Sequence, residues 1–305
     1  MAKNFTLDFV AGIADEGKML REFLKQMEIS KTALTDIKYN GGVISVNGQD
    51  VTVRYRLKAD DKVKIKFPPE IPSEGMKGEK ISLAILYEDE YVLVVNKPSG
   101  MNTIPSREHP FGSLANGLIG YYENNDISAT THIVTRLDRD TSGLVLIAKH
   151  SHVHHLLGKQ QRSGGVHRSY EAFAEGIIEQ DEGMIEAPIA RKPDSIIERQ
   201  VHADGQYACT MFKVAGRYGT FTHLHLQLKT GRTHQIRVHM SFIGHPLLGD
   251  TLYGGQKKIV TRQALHCREL FFIHPFFDKE MHFTASLPND MQEVLEKKLY
   301  RKERR

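Results

Sequence analysis

Apolar and polar positions along this chain fall into two recurring periods. Met19, Phe23 and Met27 return every fourth residue, which predicts an amphipathic helix. A second helix is predicted from Ser30, a good N-cap, to about Tyr39, with Asn40-Gly41-Gly42 as its stop. Val43–Val46 then runs into Asn47-Gly48, a strong short hairpin signal, followed by Val51-Thr52-Val53 and an alternating strand over 63–66. Proline crowds the stretch Phe67–Gly78, where neither helix nor sheet ladder can form. The break divides the chain into a unit over 1–70, an extended linker over 71–80 and a larger unit over 81–295, followed by a basic tail over 296–305.

In the larger unit strands dominate. Residues 85–87 and 91–95 flank an acidic turn, and Leu144–Ala148 reads as a fully buried strand. Residues 168–174 alternate with Tyr170, Ala172 and Ala174 on one face, and Leu224, Leu226 and Leu228 alternate with His225 and Gln227. Helices are predicted over 112–122, 151–161 and 233–243. No internal repeat appears, and no βαβ unit with a glycine-rich phosphate turn. The fold class is therefore α+β, with a large mixed, mainly antiparallel sheet, flanking helices and a small N-terminal αβ module. The tail from Lys297 to Arg305 reads as frayed and solvated.

Composition narrows the function classes. Of 305 residues, 40% are hydrophobic and 26% charged, an ordinary globular mixture. Lysine and arginine exceed the acids by 41 to 37, so a polyanionic partner is permitted without being demanded. Two cysteines, Cys209 and Cys267, exclude a disulfide framework or a cysteine-rich zinc module and read as buried hydrophobes. No apolar run reaches the roughly 20 residues of a membrane span and the start is no signal peptide, so a cytoplasmic globular protein is expected.

The densest chemical signal is 132–143, His-Ile-Val-Thr-Arg-Leu-Asp-Arg-Asp-Thr-Ser-Gly, a charged loop that feeds the buried strand from Leu144. Arg136 and Arg139 stand beside Asp138 in sequence, and nearby cations keep a carboxylate ionised and able to act as nucleophile or base. Asp138 and Asp140 read equally as turn residues capping their own backbone. The second signal is 229–240, where Thr233 can cap a helix with Ile236, Met240 and Ile243 on its buried face. Arg237 then lies near the positive end of the helix dipole, where it needs a carboxylate or phosphate partner unless it is an ordinary surface arginine. Third, Tyr170 lies among small residues that leave room for a flat ligand, or it is a core tyrosine. His150, His152, His154 and His155 mimic a metal site, but their spacing does not suit one helical face and no cysteine accompanies them, so no metal is assigned.

Together these segments resemble the RluA/RluD family of RNA pseudouridine synthases. Residues 136–144 (Arg-Leu-Asp-Arg-Asp-Thr-Ser-Gly-Leu) look like its catalytic-loop motif, and 230–239 with 244–250 look like its second hallmark. Glu88-Asp89-Glu90 with 96–100, and 263–267 with 272–275, match its opening and closing strands. The N-terminal helices, Val-Asn-Gly turn and closing strand resemble the small RNA-binding domain named after ribosomal protein S-four. The resemblance implies an isomerase that breaks the N1–C1′ bond of uridine and joins C5 to C1′, with no cofactor and no metal. It implies Asp138 as the catalytic carboxylate, Arg237 as its partner with Arg232 as the alternative, and Tyr170 stacking on the base beside Leu265. Arg136 and Arg139 are expected to steady the flipped nucleotide. Thr135, where the family often has His, and Arg168, where it often has Lys, put RNA-loop contacts in question. The expected partner is structured RNA, with large-subunit ribosomal RNA first and transfer RNA second. The chain is taken as a monomer, and a non-catalytic ribosome-assembly factor on the same fold is the alternative from another class.

Overall fold

The computed structural model describes residues 5–73 and 75–302, with side chains as far as Lys297. The two predicted N-terminal helices are present as Leu20–Gln26 and Lys31–Tyr39, the second capped by Ser30 Oγ, which accepts from Ala33 N at 3.0 Å. Four strands pair antiparallel in the order Thr6–Val10, Lys62–Lys66, Val43–Val46, Gln49–Asp50. Asn47 and Gly48 both take positive φ, as a tight hairpin between twisted strands requires. The hairpin ends at Val51, whose N–H donates to Ile44 O at 3.0 Å, and Thr52-Val53 does not extend it. The chain turns there instead, and the carbonyls of Val53 and Tyr55 accept from Arg21 N and Leu20 N, N–H groups that a helix start leaves unpaired. Leu20, Phe23, Leu24, Ile37, Val63 and Ile65 form a core for this sheet.

The proline-rich stretch has no regular element but is strapped down. Glu70 accepts from His132 Nε2 at 2.6 Å and from Ser151 N at 2.8 Å, and Asn116 Nδ2 donates to Lys77 O at 2.9 Å. Phe5 stacks on His150 with ring centroids 4.1 Å apart, and Phe67 stacks on His152 at 5.7 Å. Two members of the histidine cluster thus pack the N-terminal unit against the larger one.

The larger unit is built on a ten-stranded sheet. Its main path runs 182–186, 209–217, 221–228, 167–175, 265–273, 142–148, 92–97, 85–88, with 280–284 beside 265–273 and 132–133 beside 142–148. Pairing is antiparallel except where Leu265–Ile273 meets Ser142–Ala148, with His266 opposite Ser142 and Cys267 opposite Gly143. All seven residues of Ser142–Ala148 are buried, so this strand reads as a continuous apolar run. The predicted helices appear as Leu114–Asn124, Ser151–Arg162 and Gln235–Phe242. A further helix, Asn289–Lys302, carries most of the basic tail in regular structure, and the last three residues lie outside the described ones. Among the described residues no helix is long and apolar enough to cross a membrane.

Burial pushes His150 and His152 down to about 4, so both are neutral in the folded state near pH 7. Burial alone would raise Glu70, but the His132 hydrogen bond and the nearby His150 outweigh it and hold the carboxyl at about 2. All three values are depressed on folding, so each contribution is present at high pH and is lost on acidification. The histidines act between about 6.5 and 4, and Glu70 between about 4.5 and 2. Scanning calorimetry should therefore show the melting temperature falling from pH 7 to 4, with a shallower slope in His152→Gln. A midpoint that does not move over that range would contradict this account.

Candidate active site

The loop over 134–141 enters the sheet where its single parallel pair begins. Gly143, at φ +117, sits against the backbone of Cys267, and a Cβ there would overlap that backbone. Three buried groups fix the loop. Thr103 Oγ1 donates to Leu137 O at 2.6 Å. Lys97, fully buried, donates through Nζ to Pro98 O, Met101 O and Arg139 O at 2.8, 2.8 and 3.0 Å, and burial brings its ammonium down to about 7 despite Asp138 and Asp140 nearby. Arg262 spans the other side, donating to Asp140 O at 3.0 Å while Nε and NH2 hold Asp290 on the C-terminal helix.

Asp138 emerges from this frame with its side chain 26% exposed. Arg237 NH1 donates to Asp138 Oδ2 at 3.1 Å, and the same guanidinium donates through Nε and NH2 to both oxygens of Asp250 at 2.7 Å each. The partner that the helix dipole made necessary is therefore two carboxylates. Burial works against the charge on Arg237, but Asp250 and then Asp138 overcome it and raise its pKa. Tyr253 lies under the guanidinium, 4.9 Å from ring centroid to Cζ. Asp250 is nearly fully buried, and its sequence signal was the unmatched cation at Arg237.

The helix after the second signal starts later than predicted. Its N-cap is His234 in the left-handed region at φ +56, and Thr233 is exposed with no capping bond. That turn sends the imidazole inward, with Nδ1 2.8 Å from Tyr253 Oη and Nε2 3.9 Å from Asp138 Oδ1. Burial lowers the pKa of His234, with Asp138 acting the other way. Gln235 braces the same turn by accepting from Thr230 Oγ1 and Arg232 N and donating to Cys209 O. None of His234, Gln235 and Tyr253 had a spacing that marked it, because each acts through contacts made across the fold.

Asp138 stands between two spaces. One is a small cavity of about 70 Å³ lined by Tyr170, Leu265, Arg136, Arg168, Arg232 and Arg237, among others. Tyr170 and Leu265 are buried in its wall, and the Arg168 guanidinium lies 6.0 Å from the Tyr170 ring centroid. The other is an open groove of about 820 Å³ that also contains Arg139, Arg107 and Lys257. Arg232 lines the cavity but turns its Nε to Tyr207 O, so it is not the group that holds Asp138. Arg136 and Arg139 are exposed on the loop surface. Thr135 is fully buried and its hydroxyl accepts from Leu146 N at 2.9 Å, so that departure from the family pattern falls in the core. Among the described residues one group, Glu171, His223 and His225, could offer three metal ligands, but His223 and Arg268 already hold both oxygens of that carboxylate.

The class of this fold and site is given by comparison with known proteins. Residues 91–242 match the model of the RNA pseudouridylate synthase family. The protein named Uncharacterized RNA pseudouridine synthase YjbO, of Bacillus subtilis, is 52% identical over 276 residues, covering 90% of this chain and 98% of that one. Ribosomal large subunit pseudouridine synthase D of Haemophilus ducreyi is 36% identical over 271 residues, covering 83% and 82%. Human RNA Pseudouridylate Synthase Domain Containing 4 shares the fold with a TM-score of 0.58 at 23% identity, covering 70% of this chain and 92% of that one. The chain belongs to the RluA/RluD family of pseudouridine synthases and is an isomerase that converts uridine to pseudouridine in RNA.

Removing Asp250 leaves a buried guanidinium with one partly exposed partner. Asp250→Ala should cost about 3–5 kcal/mol in urea denaturation, the usual effect of orphaning a buried charge. A loss below about 1 kcal/mol would mean that the pair does not hold the helix start in place.

Proposed function

We propose that this enzyme modifies large-subunit ribosomal RNA, with Asp138 as the carboxylate acting on the ribose of the target uridine. The ribosomal substrate is supported by the relatives named Ribosomal large subunit pseudouridine synthase D. The role of Asp138 rests on one observation above all. It is the acidic side chain that lines both the tyrosine-walled cavity and the open groove. Uracil seated in the cavity places its glycosidic bond at this boundary. The N1–C1′ bond breaks, the base turns over, and C5 joins C1′ while losing its proton and N1 gains one. Atoms balance without oxidant or leaving group, so a single carboxylate suffices where glycoside hydrolysis uses two. Arg237 holds Asp138 in orientation, and Tyr170 with Leu265 supplies flat apolar walls for the base. Arg136, Arg139 and Arg232 steady the phosphates and the extruded nucleotide.

We assign residues 1–70 to RNA binding, with 71–80 as the strap that joins them to the catalytic unit over 81–295. Lys31, Lys38 and Arg54 line one groove of the small unit, and Tyr39 beside it is 69% exposed with Lys38 Nζ 4.8 Å from its ring centroid. An exposed aromatic with one cation at its ring and others lining the same groove suits a stacked base and its phosphate.

Asp138→Asn should abolish tritium release from 5-labelled uridine in RNA while RNA affinity stays near the wild-type value, and substantial residual release would contradict the assignment. The double change Lys31→Glu with Lys38→Glu should weaken RNA binding at least about tenfold and flatten its salt dependence. Filter binding at two salt concentrations checks this, and an unchanged slope would remove the small unit from the RNA contact.

A further inference from the structure

The groove beside Asp138 has an apolar wall that phosphate chemistry does not explain. Ile196 and Ile197 line it at the tip of a hairpin, with exposures of 83% and 55%. The hairpin is formed by Ile189–Arg191 and Arg199–Val201. Its tip is firmly built. Ser195 Oγ accepts from the backbone N–H of Ile197 and Glu198, Arg191 Nε donates to Ser195 O at 3.1 Å, and Arg199 NH1 donates to Ile197 O at 3.1 Å. The ladder end that carries the tip is tied to the site, since Arg199, opposite Arg191, donates through its N–H to Tyr253 Oη at 3.0 Å and Tyr253 meets His234 beside Asp138. Within the hairpin the cations are offset by acids, since Asp194 and Glu198 also lie in the tip and Lys192 Nζ pairs with Glu198 at 2.9 Å, whereas Arg107, Arg139 and Lys257 line the same groove as the two isoleucines. A rigid apolar tip in the same groove as Arg107, Arg139 and Lys257 matches the stacked bases of a nucleic acid beside their phosphates.

We propose that Ile196 and Ile197 form a wedge that enters the RNA stem beside the target uridine and fills the stack while that base occupies the cavity. The inference rests on the uridine-isomerising reading of the same site. Extruding a stacked base costs a few kcal/mol, and an inserted apolar side chain offsets part of it by covering the exposed faces of the neighbouring bases. Short β-branched side chains on a fixed backbone lose little rotamer freedom on insertion. The wedge therefore acts on uridines held in a stem and has nothing to offer one that is already unpaired and unstacked.

The test uses the full chain and two RNAs. One is a hairpin fragment of large-subunit ribosomal RNA containing a uridine that the wild-type enzyme modifies, and the other is the same fragment with the opposing strand altered so that this uridine is unpaired. Ile196→Ser with Ile197→Ser should lower single-turnover pseudouridine formation on the paired hairpin by about tenfold to a hundredfold, on the order of the extrusion cost, and change it less than about twofold on the open RNA. Ile196→Leu with Ile197→Leu should restore the paired-substrate rate. Equal losses on both RNAs would overturn the wedge in favour of a general RNA contact. Unchanged rates on both would overturn it in favour of a surface for another protein. If the wild-type enzyme modified neither fragment nor full-length ribosomal RNA, the substrate reading would have failed first, a result separable from loss in the variant alone.

Discussion

Arg237 is a buried cation at the end of a helix where the dipole opposes it, and the surroundings of Asp138 are arranged around that cost. Asp250 takes two of its nitrogens in a fork-to-fork pair, leaving NH1 free to reach Asp138. A lysine could not do this, because a point charge cannot hold one carboxylate bidentately and present a fixed donor to another. Asp138 is oriented by a group that is itself immobilised, and its position is set to a fraction of the distance that a flexible surface pair would allow.

The backbone under Asp138 is constrained as tightly as its side chain. A buried ammonium at Lys97, a buried guanidinium at Arg262 and the Thr103 hydroxyl all bond to carbonyls of residues 137–140. Each is a donor that would be costly to leave unpaired, so the loop carbonyls and the buried cations satisfy one another. Gly143 lets the loop pass close to Cys267 and enter the sheet as the partner of the one parallel strand pair. A carboxylate on this loop sits on a rigid support although it lies outside any helix or strand.

The small N-terminal unit is anchored to the rest of the chain by aromatic stacking and by Glu70, which bonds the strand immediately before the loop that carries Asp138. A partner gripped by one unit is thereby held in a defined relation to the other, and less orientational freedom is lost on binding than with a free tether.

Local pattern determined a good deal. The helices at 20–26, 31–39 and 151–162 and the buried strand at 142–148 were legible because periodicity and caps act within a few residues. The loop motif singled out Asp138, and the dipole argument showed that Arg237 needed an anionic partner. What the sequence could not supply was any property set by distant neighbours. Val51–Val53 has the composition of a strand yet turns away to cap a helix start, and Thr233 yields the helix N-terminus to His234, whose imidazole is directed inward to Tyr253. Asp250, Lys97 and Arg262 are ordinary charged residues in sequence and become structural only when folding removes water from them. Desolvation makes a charge seek a specific partner, and which groups lose their water is decided by the tertiary structure alone.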